Sequence, residues 1–216
     1  MCWSAEVSLN TFLFSACVFV IALVVGFKPK IMFLYFWFIL MQLIEFFLWR
    51  NITNKSWERD SISSVEWNHL ISFMAFLLLA IHPFAFCLII TDPVIQQWFL
   101  VLYILFLSLT LYIYETETVD YSASVAKNGH LSWNWTKNYT ITYYIYTIFF
   151  FVLWIEKYYA TFIIIFVTYI YSAINYYYEG TFSSLWCWSA NIVGVFIILH
   201  ILYRSYWKYI LYIFTT

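Results

Sequence analysis

Seven long apolar stretches constrain this chain more than any other feature of its sequence. Each approaches the ~20 residues that an α-helix needs to cross the ~30 Å hydrocarbon core of a bilayer. Charged residues make up only 10% of the 216 residues, and hydrophobic residues make up 65%, whereas soluble domains are about 25% charged. The predicted spans are about 9–27, 31–49, 70–90, 94–114, 139–155, 158–178 and 185–203. We therefore expect an all-α fold, a seven-transmembrane-helix bundle in which residues 1–216 form a single integral membrane domain.

Two connections between the predicted spans are very short, at residues 91–93 and 156–157. Such short loops force the helices on either side to run antiparallel. A transmembrane β-barrel would instead show apolar residues at every second position. The continuous apolar runs of this chain favour helices.

Charges near the first span predict the orientation. Residues 1–8 contain Glu6 and no basic residue, whereas Lys28 and Lys30 directly follow the span. Because basic residues stay in the cytosol, we expect the N-terminus outside and the C-terminus in the cytosol. Four Asn-X-Ser/Thr sequons fall in loops 50–69 and 115–138, which this topology places together on the outer face. Asn54 and Asn134 lie far enough from the predicted spans to be glycosylation candidates.

Glu45 lies inside the second predicted span, about 6–9 Å below its outer end at 1.5 Å per residue. An ionisable group inside a membrane span is costly and indicates a functional site. Gln42, Glu45 and Trp49 recur at helical spacing and share one face. We expect an outward-facing polar pocket around Glu45, between spans 2, 3, 6 and 7. Its other candidate members are Ser72, Asn175, Glu179, Trp186, Trp188 and Asn191.

An alternative remains open for these polar residues. They could satisfy one another as hydrogen bonds between helices, each worth about 0.6 kcal/mol, and so serve packing alone. This alternative suits Ser72, Asn175 and Asn191 better than it suits Glu45, because packing requires no carboxylate.

A second polar group is predicted toward the cytosolic side: His82, Asp92, His200 and Arg204. Two histidines and an aspartate resemble part of a metal site, but zinc sites use three or four protein ligands. We therefore predict neither a metal nor a cofactor here. In the outer loop, Asn128-Gly129 predicts a tight turn. Trp133 and Trp135, which follow it, are expected to anchor the loop in the membrane interface, with a lid over the pocket as the alternative.

No enzyme motif is present, and we expect no enzymatic activity. The leading hypothesis is a small transporter or channel-like protein whose pocket opens outward. A structural or interaction protein of a viral or host membrane is the alternative, and a ligand-sensing seven-span receptor is a third hypothesis. The expected partners are the lipid bilayer and a small molecule or ion, without nucleic acid; the oligomeric state is left open. The membrane could be a host endomembrane, the plasma membrane or a virion membrane.

Three patches carry a resemblance to a known family. They are residues 41–49 (MQLIEFFLW) with Asn51, the His82-Pro83 step, and residues 180–191 (GTFSSLWCWSAN). In these patches the chain resembles an uncharacterised multi-span membrane protein family of large DNA viruses of algae and protists. The resemblance implies a viral or protist origin and supplies no activity.

Overall fold

The computed structural model describes residues 4–53, 64–176, 180–182 and 188–215. Four long helices come first: α1 (Ala5–Val24), α2 (Pro29–Thr53), α3 (Ser64–Ile89) and α4 (Pro93–Thr116). A small antiparallel hairpin of β1 (Ala123–Val125) and β2 (Leu131–Trp133) follows, and it continues into a 3₁₀-helix (Asn134–Lys137). The remaining helices are α5 (Thr140–Ile148), α6 (Phe151–Ile155), α7 (Tyr159–Tyr176) and α8 (Trp188–Thr215). The all-α prediction is confirmed, with the hairpin as a small addition.

Five of these helices are long and apolar enough to cross a membrane: α1, α2, α3 from Val65 onward, α4 and α7. They coincide with predicted spans 1–4 and 6. At predicted spans 5 and 7 the apolar segments are shorter: residues 140–155, which comprise α5 and α6, and residues 190–204 within α8. A 16-residue helix rises only about 24 Å, less than the ~30 Å hydrocarbon core.

Large apolar side chains cover the outside of the bundle. Val24, Trp98, Ile104, Leu105 and Ile174 are each at least 60% exposed. A soluble protein rarely exposes apolar patches on this scale, because burying them in a second molecule or a membrane is strongly favourable. The exposed surface therefore supports the membrane assignment independently of helix length.

The helices close a ring in chain order. Each helix packs against the next along the chain, and α8 returns to pack against α1. Further contacts cross the ring between α2 and α8 and between α3 and α6. As a result α2 and α3 are the most buried helices, whereas only 11% of the apolar window of α4 is buried.

One end of the bundle is formed by the short connections 25–28, 90–92 and 156–158, and we call it the turn end. Gly26, at φ 72°, ends α1, and the Phe27 N–H donates to Ala22 O at 2.8 Å, which satisfies a terminal carbonyl of the helix. Asp92 caps α4 by accepting from the backbone N–H of Val94 and Ile95.

Contacts between the turn-end loops hold them at one level. Glu156 accepts hydrogen bonds from the backbone N–H and the hydroxyl of Thr91 at 2.8 and 3.0 Å. Lys30 donates to Ile89 O at 3.2 Å, and the Lys28 ammonium lies 4.6 Å from the centre of the Tyr158 ring. The three connections therefore lie on the same face of the molecule.

The opposite end, which we call the cap end, carries residues 117–139, named here the lid, together with residues 180–182. Gly129, at φ 78°, forms the predicted Asn-Gly turn between β1 and β2. Asn128 donates from its side-chain amide to the Thr181 hydroxyl at 3.0 Å. Gly180 lies at φ 68°, and a Cβ there would lie 2.7 Å from Ser132 Oγ, so the position favours glycine.

Candidate ligand-binding cavity

A cavity of about 60 Å³ opens beneath the lid, between α2, α3, α4, α5 and α7. By the usual measure of 10–15 Å³ per water, it would hold roughly four to six water molecules. Its described lining residues are Trp37, Phe38, Met41, Glu45, Phe76, Leu78, Leu79, Ala80, His82, Phe106, Thr110, Trp133, Trp135, Tyr139, Thr142, Tyr143, Tyr146, Tyr169 and Phe182.

Helix α2 contributes the carboxylate that the sequence analysis singled out. Gln42 and Glu45 are fully buried and Trp49 is 3% exposed, so all three lie on the inward face of α2. Glu45 lines the cavity, whereas Trp49 packs in the apolar cluster beneath the lid.

The same cavity also reaches His82, which the sequence analysis assigned to a separate cytosolic group. The Tyr146 hydroxyl lies 2.6 Å from His82 Nδ1, and the Phe38 ring stands edge-on to the imidazole at 4.5 Å. His82 Nε2 is buried and has no hydrogen-bond partner among the described residues. Because Nδ1 already contacts Tyr146, Nε2 is the imidazole atom that can form a hydrogen bond with a bound molecule.

Glu45 and His82 lie at different depths. Glu45 is sixteen residues from the start of α2 at the turn end, and His82 is seven residues from the end of α3 at the same end. At 1.5 Å per residue they are about 13 Å apart along the bundle. The cavity is therefore a narrow cleft that runs from Glu45 toward the turn end. It contains one residue of each polar group predicted from the sequence: Glu45 of the first and His82 of the second.

Helix α3 lacks one of its usual backbone hydrogen bonds next to this cleft. Pro83 lies inside α3 and has no N–H, so the Leu79 carbonyl lacks its usual hydrogen bond from four residues onward. The consecutive residues 78–80 all line the cavity. Since three consecutive residues point in different directions around a helix, the main chain itself borders the cleft.

The segment α5–α6 is interrupted just beyond Tyr146, its last residue in the described lining of the cleft. Phe149 and Phe150 separate the two helices, and their N–H groups donate to the carbonyls of Tyr146 and Thr147, three residues back. Such a tight turn within a helix often marks a hinge. The turn begins at the carbonyl of Tyr146, whose hydroxyl forms a hydrogen bond with His82.

The lid forms the outer wall. Trp133 and Trp135 are each 2% exposed and line the cavity, and Trp135 stacks on Tyr143 at an interplanar angle of 19°. The prediction that they anchor the loop in the membrane interface is wrong, and the lid alternative is correct. The hairpin turns both indoles inward, because β2 and the 3₁₀-helix pack over Phe76 and Tyr139.

Asn68 of α3 fastens the lid. Its side-chain amide donates to Ala123 O, and its carbonyl oxygen accepts from the Ala123 N–H, both at 2.8 Å. This side chain therefore pairs with β1 as a neighbouring strand would. Ser72, a predicted pocket residue, is fully buried but supports this joint instead, since its hydroxyl donates to Asn68 Oδ1 at 3.4 Å.

Asp120 adds an electrostatic contact at the rim of the lid. It accepts a hydrogen bond from Asn134 Nδ2 at 3.0 Å and lies 3.9 Å from His69 Nε2. Burial raises the pKa of Asp120, but hydrogen bonds from Ser122 and Asn134 and the charge of His69 outweigh it and hold the pKa below its usual value.

The amide of Asn134 is used within the lid. Its Nδ2, the atom that a glycan would occupy, also donates to Ser122 Oγ at 2.8 Å, and the hydroxyl of Thr136 in the same sequon is buried and donates to Trp133 O. The folded lid therefore does not present this sequon. Asn54, the other glycosylation candidate, lies outside the described residues.

Several predicted pocket residues lie elsewhere. Asn175 is exposed and donates only within α7, to Tyr171 O, and Asn191 donates to Thr11 of α1 at 3.2 Å. Neither lines the cavity, because each faces away from the cleft. Glu179 and Trp186 lie outside the described residues, and Trp188 is described only as the first backbone position of α8.

The predicted cytosolic group is dispersed. Asp92 caps α4, His200 stands edge-on to Phe27 at 5.5 Å, and Arg204 is exposed. Only His82 of this group reaches the cavity. Sequence spacing placed these residues at similar depth but gave no information on which side of each helix faces inward.

Mostly helical, with five long apolar helices and an apolar exterior, the chain is a helical integral membrane protein. Comparison with protein-family models, with curated proteins and with solved structures found no match. The function is therefore argued from the cavity alone.

Proposed function

We propose that this is a small transporter or channel-like protein, and that the cleft from Glu45 to His82 is its substrate path. The observation that carries the proposal is a buried carboxylate lining a lidded cavity that also reaches a buried imidazole about 13 Å deeper. Buried ionisable groups are costly in a membrane and are retained along substrate and ion pathways. Under this proposal the protein binds and moves its substrate without changing it chemically.

The topology of this proposal has seven passes, with α5 and α6 together forming one pass. The cap end faces outward and the turn end faces the cytosol, as the basic residues Lys28 and Lys30 favour. The interruption at Phe149–Phe150 lies in the core about one turn beyond Tyr146, which lines the cavity, and broken helices are common near the binding sites of transporters.

Cysteine accessibility tests the path without knowledge of the substrate. Thr110 of α4 is 3% exposed and lines the cavity, and it lies seventeen residues from the start of α4, near the level of Glu45. In a background with all four native cysteines replaced by alanine, Thr110→Cys is treated with silver ion, a membrane-impermeant, thiol-binding cation of a single atom, which a cavity of this size can admit. The reagent is added separately to each face of sealed vesicles.

Two controls lie on the same helix. Ile104→Cys faces outward at 60% exposure and should stay unreactive, because lipid keeps its thiol protonated and excludes the reagent. Glu117→Cys, at the end of α4, should react from one face only.

The pattern of reaction separates the candidate functions. Transport predicts that Thr110→Cys reacts from both faces, with different rates. Reaction from the cap face alone would replace transport by ligand sensing at a closed-ended site. No reaction from either face, with both controls behaving as expected, would favour the structural protein of a viral or host membrane.

A further inference from the structure

We infer that the ligand of this cavity is a small protonated amine, of the size of ammonium or methylammonium. The inference rests on the proposed function, in that it identifies what the cleft at Glu45 binds. It follows from four features of the cavity: its acidic residue, its aromatic walls, the orientation of two threonine hydroxyls and its volume.

The single acidic residue in the described lining favours a cation, because a cation stabilises the ionised form of its carboxyl group. Glu45 is the only acidic residue among the described lining residues, and neither Lys nor Arg is among them. A cleft with one sign of charge and low-dielectric walls concentrates ions of the opposite sign.

The walls suit an organic cation. Eleven of the described lining residues are aromatic: Trp37, Phe38, Phe76, Phe106, Trp133, Trp135, Tyr139, Tyr143, Tyr146, Tyr169 and Phe182. An ammonium group is attracted to the faces of such rings, most strongly where water is excluded. Calcium and magnesium ions instead require a shell of about six or more oxygen ligands, whereas most of this wall is made of aromatic rings.

Two threonines add a preference for N–H donors. Thr110 Oγ1 donates to Phe106 O at 2.8 Å, and Thr142 Oγ1 donates to Tyr139 O at 2.7 Å. Because each hydroxyl proton is already committed to the backbone, the oxygen can only accept a further hydrogen bond. Both residues line the cavity, so they offer acceptors to a ligand that carries N–H groups.

The volume sets the upper size. A cavity of 150 Å³ holds benzene, and this one measures about 60 Å³. A molecule of one or two heavy atoms fits, whereas drug-sized ligands do not. Methylammonium combines this size with a positive charge and three N–H donors.

Saturation-transfer NMR on the protein in nanodiscs of deuterated lipid tests the inference, since the method detects weak binding of methylammonium through its methyl signal. Methanol, with the same number of heavy atoms and no charge, is the neutral comparison. We expect a transfer signal for methylammonium and none for methanol. Glu45→Gln should lower the methylammonium affinity at least tenfold, and Thr110→Val should lower it several-fold.

Glu115→Gln is the matched control, because it removes one carboxylate from an exposed position of α4 and should change nothing. Equal signals for methanol and methylammonium, or an unchanged affinity in Glu45→Gln, would overturn the inference. Absence of methylammonium binding while Thr110→Cys reacts from both faces would overturn the ligand class and leave the path intact. If methylammonium does not bind and Thr110→Cys reacts from neither face, the proposed path is overturned as well.

Discussion

The two ends of this bundle are built on different principles. Beneath the turn end, Met32, Phe86, Phe149, Phe150 and Leu153 are at most 1% exposed and form an aromatic and aliphatic core, and a second cavity lined in part by Leu153 measures only about 20 Å³. Beneath the cap end, the polar groups of Gln42, Glu45 and Ser72 are equally buried, and a cavity remains open. Close packing at one end fixes the helices, and this rigidity allows the other end to keep an unfilled, polar space.

The ends also differ in how their loops are joined. The turn-end helices end by standard caps in short connections, with added contacts between the loops such as Glu156 to Thr91, whereas the lid is joined to other elements by Asn68 of α3 and by the contact of its own Asn128 with Thr181. Local sequence determines the first kind of joint, and the assembled fold determines the second. The following substitutions test this difference.

Phe150→Ala should have the largest effect on stability. Its fully buried ring contacts Phe86, Tyr146 and Tyr169, so its removal should lower the free energy of unfolding by about 3–5 kcal/mol. Thermal unfolding in nanodiscs measures the loss. Phe151→Ala is the matched control, because the adjacent ring is 45% exposed and should cost much less. Equal losses would mean that the turn-end core is not close-packed.

Gly194→Ala should destabilise the contact of α8 with its neighbours. A Cβ at this position would lie 2.5 Å from the Tyr35 hydroxyl oxygen and 3.1 Å from the Phe14 ring. Overpacking of this kind costs about 1–3 kcal/mol. The double variant Gly194→Ala with Tyr35→Phe, which removes the nearest atom, should recover part of the stability. No recovery would show that the clash lies elsewhere.

Asn68→Ala should loosen the lid while leaving the turn-end core unchanged. Both Ala123 backbone groups lose their partner, and each unsatisfied buried group costs about 1–3 kcal/mol. Hydrogen exchange should become faster over residues 123–133 and stay constant in α1. Asn175→Ala, which loses only a bond within its own helix, should leave both regions unaffected. Faster exchange throughout the molecule would contradict the separation of the two ends.

Acidification should weaken the lid slightly. Because the folded pKa of Asp120 is lowered, its ionised form stabilises the lid at any pH above the unfolded pKa of about 3.9, and this contribution is lost as the pH falls through the lowered value. The side chain is 56% exposed, so solvent screening keeps the effect small. Hydrogen-exchange rates of the lid, measured at pH 6 and pH 3 in the unmodified protein and in Asp120→Asn, give the size of this contribution. An identical pH dependence in the variant would assign the effect to another group.

Much of the bundle could be predicted from the sequence because membrane spans depend on composition and length. Predicted spans 1–4 and 6 coincide with long apolar helices. The helical spacing of Gln42, Glu45 and Trp49 correctly predicted one buried face of α2. Apolar content at predicted span 5 did not reveal the interruption at Phe149–Phe150.

The composition of the cavity could not be predicted, because it depends on helix rotation and on the lid. Nothing in the local sequence distinguishes His82, which faces the cleft, from His200, which lies against Phe27. Asn175 and Asn191 have the polarity of pocket residues, but their helices turn them toward other partners. Trp133 and Trp135 resemble interfacial anchors until the hairpin folds them inward.

The most direct test of the ligand site is an experimental map of the protein in lipid, with an antibody fragment bound for alignment, read at the cleft with and without methylammonium. We predict an open cleft, with ordered non-protein density next to Glu45 that changes when methylammonium is added. A cleft closed by rotation of the lid tryptophans into the space, with no density in either map, would contradict it and make Glu45 a packing residue.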